Sequence, residues 1–316
     1  MSTRGPLIVR LCNWVGEAVL SLPTLTLLAE QGYELHLIGK RWACSLFEGQ
    51  GWQVHVRPAK RAEAIAQLRA LRRTLASQHA GFARRPNYLL FTSSFSSALE
   101  ARLAGLRPIG FRHDGRGWLL SHGVPDAKGL HAAENYWRVA THFLGSGAQR
   151  PTSLGLRPSA GQHRRAESLL AEQHVSGRFV ILCPFSGAAD TTGKKNWPHF
   201  PELSRRLIEQ GRQVVLCPGP GEESVAQEAY AGAVVLSGVD LGVYAALATH
   251  AGAVVSNDTG PGHLAAAVDA PLVSVLGPDA APMWYAQGPR VTLLHPAQGW
   301  PSLQDVLSAV NERVRA

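Results

Sequence analysis

The chain has 316 residues, of which 45% are hydrophobic and 17% are charged, and this composition excludes a disordered chain and fits a packed globular protein. Because one hydrophobic core rarely serves so long a chain, we expect two α/β domains of about 150 residues each. The formal net charge of +8 is concentrated in the first half, since residues 1–150 contain 19 Lys and Arg against 9 Asp and Glu, whereas residues 151–316 contain 12 against 14.

Short branched apolar runs alternate with helical patterns along the first half of the chain. Strands are predicted at residues 6–11, 34–39, 52–57, 87–92 and 108–112. Helices are predicted at residues 17–31, 61–78, 96–105 and 135–145. A segment rich in Gly, Pro and Ser follows at residues 146–158, and we interpret it as the linker between two domains.

The same alternation restarts after the linker. Strands are predicted at residues 178–184, 212–218, 233–238, 252–258 and 271–277. Helices are predicted at residues 199–211, 222–230, 241–251, 260–268 and 302–314. This alternation predicts βαβ units, and therefore two Rossmann-like parallel-sheet lobes, residues 1–150 and 151–316, with a cleft between them and with ligands at the carboxyl ends of the strands. For the last helix, packing back on the first lobe is left open as an alternative to packing on the second.

The most informative motif is the run SNDTGPGHLAAA at residues 256–267. Asp258 ends a predicted buried strand, Thr259 suits the N-cap of the next helix, and Pro261 suits its first turn, where a missing N–H costs nothing. Capping alone would also explain this run.

The same motif offers an anion site. Gly260 and Gly262 are expected to remove side chains from the approach to the helix, so that its first amides and its dipole could receive a diphosphate. His263, one turn into the helix, could donate a hydrogen bond to a phosphate.

A second motif follows the first strand of the second half and so lies on the same rim as Asp258. It contains Ser186 and the run KKNWP at residues 194–198. Lys195 could neutralise a phosphate as a point charge. A loop with two surface lysines is the alternative.

A third motif, the run NWVGEAV at residues 13–19, comes directly after the first strand. It places Glu17 at the N-terminus of a helix, where the helix dipole favours a carboxylate. In a cleft this carboxylate could act as a general base, and otherwise it is an ordinary N-terminal charge.

The predicted helix at residues 61–78 is strongly basic. A basic surface on one lobe suits an anionic partner such as a phosphorylated lipid, a membrane surface or nucleic acid, whereas a solvated helix face is the alternative. Sites for single-stranded nucleic acid usually combine basic residues with aromatic residues on which bases stack. The basic segment lacks such interleaved aromatic residues, so we expect no nucleic-acid partner. The candidate side chains for an anionic acceptor or membrane surface are Arg61, Arg69, Arg72 and Arg73.

Several other classes of site are not indicated. The sequence has no G-x-G-x-x-G, no phosphate-binding G-x-x-x-x-G-K-[ST] and no G-x-S-x-G, and its histidines lack metal-ligand spacing, so we expect no metal ion or other cofactor. The four cysteines form no C-x-x-C pair, which suits a reducing compartment. Without a secretory signal or a run of about 20 apolar residues, we expect a cytoplasmic protein.

These three motifs together resemble glycosyltransferase family 9, the ADP-heptose–lipopolysaccharide heptosyltransferases. The run at residues 256–267 is similar to the family signature D-[ST]-G-x-x-H-[LI]-x-A, and KNWP is similar to its K-x-W-P stretch. The run at residues 13–19 resembles the N-W-x-G-D pattern of the heptosyltransferase II branch. The motifs occur in the family's order and span the chain.

The resemblance implies a GT-B fold and an inverting transfer of heptose from ADP-heptose to the phosphorylated inner core of lipopolysaccharide, at the cytoplasmic face of the inner membrane and without an essential metal. It assigns the acceptor to the N-terminal lobe and the ADP-sugar to the C-terminal lobe. It implies the donor-binding residues Ser186, Lys195, Glu222 (or Glu223), Asp258, Thr259, Gly260 and His263.

The resemblance also makes Glu17 the catalytic base, although the family usually has Asp at this position. The extra methylene is compatible with a shifted acceptor, with a different acceptor or with a weakened enzyme. Two other functions stay open: a nucleotide-sugar epimerase or hydrolase, which would turn over its substrate without an acceptor, and a non-catalytic nucleotide-sugar binder.

Overall fold

The computed structural model describes residues 4–125, 127, 129–186 and 196–315. The chain folds into two compact units, Met1–Pro151 and Thr152–Ala316, each with its own sheet. The division lies within the Gly-, Pro- and Ser-rich segment at residues 146–158.

In the described residues of the first unit, six parallel strands form one sheet. The strands are β1 (Gly5–Arg10), β2 (Tyr33–Gly39), β3 (Gln53–Val56), β4 (Tyr88–Leu90), β5 (Pro108–Phe111) and β6 (His122–Val124). The helices are α1 (Val15–Leu20), α2 (Leu22–Glu30), α3 (Trp42–Leu46), α4 (Arg61–Gln78), α5 (Phe95–Leu103) and α6 (Ala132–Leu144). The strands lie side by side in the order β3-β2-β1-β4-β5-β6.

The described part of the second unit repeats this plan. The strands are β7 (Val180–Cys183), β8 (Val214–Leu216), β9 (Val234–Val235), β10 (Ala253–Asn257), β11 (Leu272–Val275) and β12 (Val291–Leu294). The helices are α7 (Ala160–Glu172), α8 (Phe200–Glu209), α9 (Glu223–Ala229), α10 (Leu241–His250), α11 (Gly260–Ala267) and α12 (Leu303–Arg315). The spatial order is β12-β11-β10-β7-β8-β9, again with parallel pairing.

Both strand orders are those of a doubly wound sheet, in which the chain starts in the middle and builds outward in both directions. In such sheets ligands bind beyond the carboxyl ends of the two central strands, where the winding reverses. These switch points lie between β1 and β4 in the first unit and between β7 and β10 in the second. The prediction of two parallel-sheet lobes is therefore confirmed.

The elements differ from the prediction at a few places. The single helix expected at residues 17–31 is two helices, because Pro23 has no N–H to continue α1 and instead occupies the first turn of α2. Helix α7 was not predicted, although Ser159 and Gln162 form a capping box at its start. The sequence interpretation also missed α3 and the two edge strands β6 and β12, which have only three to five residues each.

One hydrophobic core of the second unit lies between its sheet and helices α8 and α12. Phe200 and Leu203 from α8 pack with Val306 and Val310 from α12, and all four side chains are almost fully buried. Helix α12 also contacts β10, β11 and β12, so the last helix packs on the sheet of the second unit.

Trp197 is the largest buried side chain of this core, with 2% of its surface exposed. Its ring packs edge-on against Phe200 at 5.2 Å between centroids, and its indole N–H donates to the carbonyl of Pro301 at 2.9 Å. The tryptophan of the KNWP motif therefore holds the start of α8 against the body of the second unit.

Replacing Trp197 with Ala is expected to destabilise the second unit by about 3–5 kcal/mol, because it leaves a cavity and an unpaired carbonyl at Pro301. The measurement is urea unfolding followed by far-UV circular dichroism. Trp118→Ala is the matched control, since Trp118 is 70% exposed and its loss should change stability by less than about 0.5 kcal/mol. Equal unfolding midpoints for the two variants would contradict this account.

Candidate functional site

The switch point of the second unit is held together by Asn257, the last residue of β10. Its buried side-chain amide donates to the carbonyl of Pro184 at 2.8 Å and accepts from the backbone N–H of Trp197 at 3.0 Å. The loop after β7, the segment leading into α8 and the end of β10 are thus brought together. Sequence reasoning had placed these segments on one rim but had not identified Asn257 as their connection.

Helix α11 begins directly at this point. Thr259 is its N-cap residue, with extended backbone angles of φ −143° and ψ 170°, but its side chain does not cap the helix. The hydroxyl lies instead 3.3 Å from the Ser256 hydroxyl and 3.4 Å from the carbonyl of Asn257. Because the Thr259 side chain leaves the first turn uncapped, the backbone amides and the dipole at the N-terminus of α11 are suited to an anion.

Gly262 has a different role from the one expected. A Cβ atom at this position would lie 2.9 Å from the Ser256 Oγ, a distance that real Cβ atoms do not adopt. The residue is buried in the first turn of α11, facing β10. The glycine therefore permits close packing of α11 on β10, and the expectation that it clears the approach of a ligand is corrected.

Asp258 and His263 lie next to each other at the start of α11. His263 is 7% exposed, and its Nε2 lies 3.9 Å from the Asp258 Oδ1. Burial and the neighbouring Asp258 carboxylate raise the pKa of Tyr285, whose hydroxyl lies 2.8 Å from the His295 Nδ1. Sequence reasoning did not select Tyr285, which follows β11 at the same edge of the sheet.

The remaining donor-site candidates lie in the loops after β7 and β8. The Ser186 hydroxyl donates a hydrogen bond to the side-chain oxygen of Asn196. Glu222 accepts a hydrogen bond from the backbone N–H of Gly219 at 2.7 Å and thereby closes its own loop. Lys195 lies outside the described residues.

The first unit holds Glu17 at the corresponding switch point. Glu17 is in the first turn of α1, directly after β1, and its Oε1 accepts a hydrogen bond from the Tyr136 hydroxyl at 3.3 Å. Partial burial raises the pKa of Glu17, and the Tyr136 hydrogen bond opposes this by lowering it. The carboxylate is therefore a stronger proton acceptor than an exposed glutamate.

Tyr136 in turn contacts a thiol. Its hydroxyl lies 3.2 Å from the Sγ of Cys12, which is buried and whose pKa is raised by that burial to about 12. The ring of Tyr136 packs edge-on against Phe91 at 5.1 Å. Sequence reasoning missed Tyr136, and the only signal was its place on the apolar face of an amphipathic helix.

The four arginines selected as candidates for an anionic acceptor or a membrane surface differ in their contacts. Arg61 begins α4 and pairs with Glu100 at 3.4 Å, and Arg69 donates to the carbonyl of Leu103 at 3.0 and 3.1 Å. Arg72 lies against Gly105, and Arg73 is exposed. At 1.5 Å per residue, Arg73 is about 18 Å along the helix from Arg61.

The carboxyl edge of the first sheet carries other exposed cations. They follow β2, β3 and β5, whose carboxyl ends all lie at the edge that holds Glu17. These residues are Lys40, Arg41, Lys60 and Arg112. Buried Arg116 braces this edge by donating to the carbonyls of Phe111, Thr92 and Ser94.

Among the described residues, no group of three or more His, Cys, Asp or Glu side chains is arranged to hold a metal ion. Within the same residues, no helix has both the length and the hydropathy needed to cross a membrane.

Comparison with known proteins gives the family. Residues 68–304 match the sequence model of glycosyltransferase family 9 (heptosyltransferase). A lipopolysaccharide heptosyltransferase 1 of Pseudomonas aeruginosa is 41% identical over 160 residues, which cover 49% of this chain and 42% of that protein. The matched regions span between 34% and 42% of the length of the curated relatives.

Solved structures share the fold over nearly the whole chain. Heptosyltransferase II of E. coli superposes with a TM-score of 0.76 at 23% identity and 98% coverage of both chains. A family 9 glycosyltransferase of Veillonella parvula superposes with a TM-score of 0.84 at 16% identity, covering 100% of this chain and 98% of that one. These superpositions confirm the expected GT-B fold. The family model matches most of this chain, residues 68–304, and this match shows that the chain belongs to glycosyltransferase family 9.

Proposed function

We propose that this protein is an inverting glycosyltransferase that moves a heptose from ADP-heptose to the phosphorylated inner core of lipopolysaccharide. The observation that carries the proposal is the position of Glu17 and of the α11 N-terminus. Each lies at the switch point of its own sheet, in a chain that belongs to a heptosyltransferase family.

The donor diphosphate is assigned to the N-terminus of α11. The first amides of Gly260 and its neighbours would bind phosphate oxygens, Thr259 offers a hydroxyl, and His263 offers a ring nitrogen one turn in. Lys195 is proposed to offset the remaining negative charge. As the glycosidic bond breaks, charge grows on the diphosphate, and these groups would stabilise it where it develops.

Ser186 and Glu222 are assigned to the edges of the donor pocket. Ser186 follows β7 at the same rim as α11, and this position supports the proposal that its hydroxyl lines the phosphate region. Glu222 follows β8, the strand next to β7, which is the place where doubly wound sheets present a carboxylate to a ribose.

The acceptor is assigned to the carboxyl edge of the first sheet. The exposed cations Lys40, Arg41 and Lys60 suit a phosphorylated saccharide, and Glu17 at the same edge would accept the proton of its hydroxyl. The deprotonated oxygen then attacks the anomeric carbon as ADP leaves from the opposite face, which inverts the configuration. No step of this reaction requires a metal ion.

The arginines farther along α4 are assigned to the membrane that holds the acceptor lipid. Arg69, Arg72 and Arg73 lie too far from Arg61 to share one acceptor phosphate, but a basic helix face can attract an anionic bilayer. We therefore propose a cytoplasmic enzyme that docks peripherally at the inner membrane.

The first test is transfer from ADP-heptose to lipopolysaccharide acceptors truncated at successive core sugars, with product mass as the readout. The expected result is the gain of one heptose on one acceptor. Glu17→Gln should lower kcat on the order of 10²–10⁴-fold and leave ADP binding unchanged, because it removes the general base alone. Glu17→Asp is the matched control, expected to keep measurable activity.

Two results would contradict the proposal. Release of ADP from ADP-heptose without any acceptor would point to a hydrolase, and ADP binding without turnover on every acceptor would point to a binder.

The pH dependence of kcat/KM provides a second test. Because burial raises the pKa of Glu17, the carboxylate becomes available as a base only at a higher pH than an exposed glutamate. Activity should therefore rise with pH along an acid limb whose midpoint lies above the ordinary glutamate value of about 4.3. An acid limb at or below that value would contradict the assignment of Glu17 as the base.

Charge reversal tests the acceptor face. Lys40→Glu, Arg41→Glu and Lys60→Glu together should raise KM for the acceptor on the order of tenfold at low salt, with ADP affinity unchanged. The matched control reverses the exposed arginines of the second unit, Arg157, Arg164 and Arg290, and so makes the same change in net charge. Equal losses in both variants would mean that overall charge, rather than this face, attracts the acceptor.

A further inference from the structure

Three side chains from separate parts of the first unit form a line of hydrogen bonds that ends at Glu17. Cys12 lies in the loop after β1, Tyr136 lies on α6, and Glu17 lies on α1. The Cys12 Sγ is 3.2 Å from the Tyr136 hydroxyl oxygen, and that hydroxyl is 3.3 Å from the Glu17 Oε1. Cys12 is 3% exposed and Tyr136 is 6% exposed, so water competes little with the inner part of this line.

The proton positions along the line follow from what each group can donate. An ionised carboxylate can only accept, so the single O–H of Tyr136 is directed to Glu17. Cys12 holds its proton, because burial and the nearby Glu17 charge raise the pKa of its thiol to about 12. The thiol therefore donates to the Tyr136 oxygen, and this donation polarises the O–H toward the carboxylate.

A charged group outside this line, Arg10, also acts on it. Arg10, at the end of β1, acts on Cys12 and favours its thiolate, but burial outweighs this effect. The Arg10 guanidinium itself donates hydrogen bonds to the carbonyl of Leu11 at 2.6 Å and to the side-chain oxygen of Asn13 at 2.9 Å. At Glu17 two opposing effects remain, the burial that favours its neutral form and the Tyr136 hydrogen bond that favours its charge.

We infer that Tyr136 is a positioning residue for the proposed base: its hydroxyl, supported by the Cys12 thiol, fixes the Glu17 carboxylate in one orientation and keeps it ionised in its half-buried site. The inference rests on the proposed function, in which Glu17 accepts the proton of the acceptor hydroxyl. Tyr136 itself exchanges no proton with the acceptor.

The second unit supplies a structural comparison. There the Cys183 Sγ lies 3.1 Å from the Tyr244 hydroxyl, and Tyr244 donates to the main-chain carbonyl of Pro261 at 3.3 Å. A buried Cys–Tyr pair thus occurs beside the first strand of each sheet. In the second unit the phenol holds a carbonyl, which does not titrate, whereas in the first unit it holds a carboxylate that does.

The test measures the pKa of Glu17 directly and through catalysis. Protein labelled with ¹³C at the glutamate carboxyls is titrated by NMR, with Glu17→Gln used to assign the Glu17 signal. In Tyr136→Phe the loss of a donor to the charged form should raise the pKa of Glu17 by about one unit, and should move the acid limb of kcat/KM to higher pH by the same amount.

Three further variants separate positioning from folding. Cys12→Ala should also raise the pKa of Glu17, but by less than Tyr136→Phe does. Cys12→Ser keeps a hydrogen-bond donor at this position and should leave the pKa of Glu17 at its wild-type value. Tyr88→Phe is the matched control, because it removes another buried phenol from the same sheet, at β4. It should leave the pKa of Glu17 and the acid limb unchanged.

The outcomes distinguish this inference from the function on which it rests. An unchanged Glu17 pKa in folded Tyr136→Phe overturns the inference even where heptose transfer by the wild type is observed. A raised Glu17 pKa together with no transfer to any acceptor overturns the proposed function, and with it the role of Tyr136 in catalysis. A fall in kcat at all pH values, with the acid limb in place, would reduce Tyr136 to a packing residue.

Discussion

The site of the second unit depends on the two hydrogen bonds of the buried Asn257 side chain. Its amide nitrogen donates to the loop after β7 and its amide oxygen accepts from the backbone N–H of Trp197, so that both polar atoms have partners away from water. Each bond joins segments that are distant in sequence, 73 and 60 residues apart. With β10 fixed to both segments, the turn that follows it, and hence the start of α11, has one position relative to the sheet. If either hydrogen bond were missing, a buried amide nitrogen or oxygen would have no partner, which costs free energy. This cost favours the arrangement in which all three segments are in place.

Much of this architecture could be predicted from sequence, because it depends on local patterns. Branched apolar runs mark the buried strands, and glycine and proline mark the ends of the helices between them. Parallel strands end at one edge, so motifs placed directly after strands had to share that edge. Glu17 and the Asp258 turn could therefore both be predicted to lie at the carboxyl edges of their sheets. Strands β6 and β12 were not predicted, because three or four residues are too few to show a clear pattern of apolar residues.

What sequence could not supply was the identity of partners across the fold. Tyr136 is 119 residues from Glu17, and nothing in the helix that contains it distinguishes a tyrosine at the site from one in the core. The arginines of α4 looked alike in sequence, yet Arg61 pairs with a carboxylate, Arg69 binds a carbonyl and Arg73 is exposed. A run of like charges gives the sign of a surface. Only the packing of neighbouring helices determines which charges are available to a ligand.

The contact between Ser256 and Gly262 has a consequence for how the family can vary. A side chain larger than serine at position 256, or any Cβ at position 262, would push α11 away from β10 and so displace the turn between them. While the turn keeps its place, position 262 must stay glycine and position 256 must stay serine or smaller. Among relatives that share this turn we expect the same two limits, and we expect a larger side chain at either position to accompany a displaced turn.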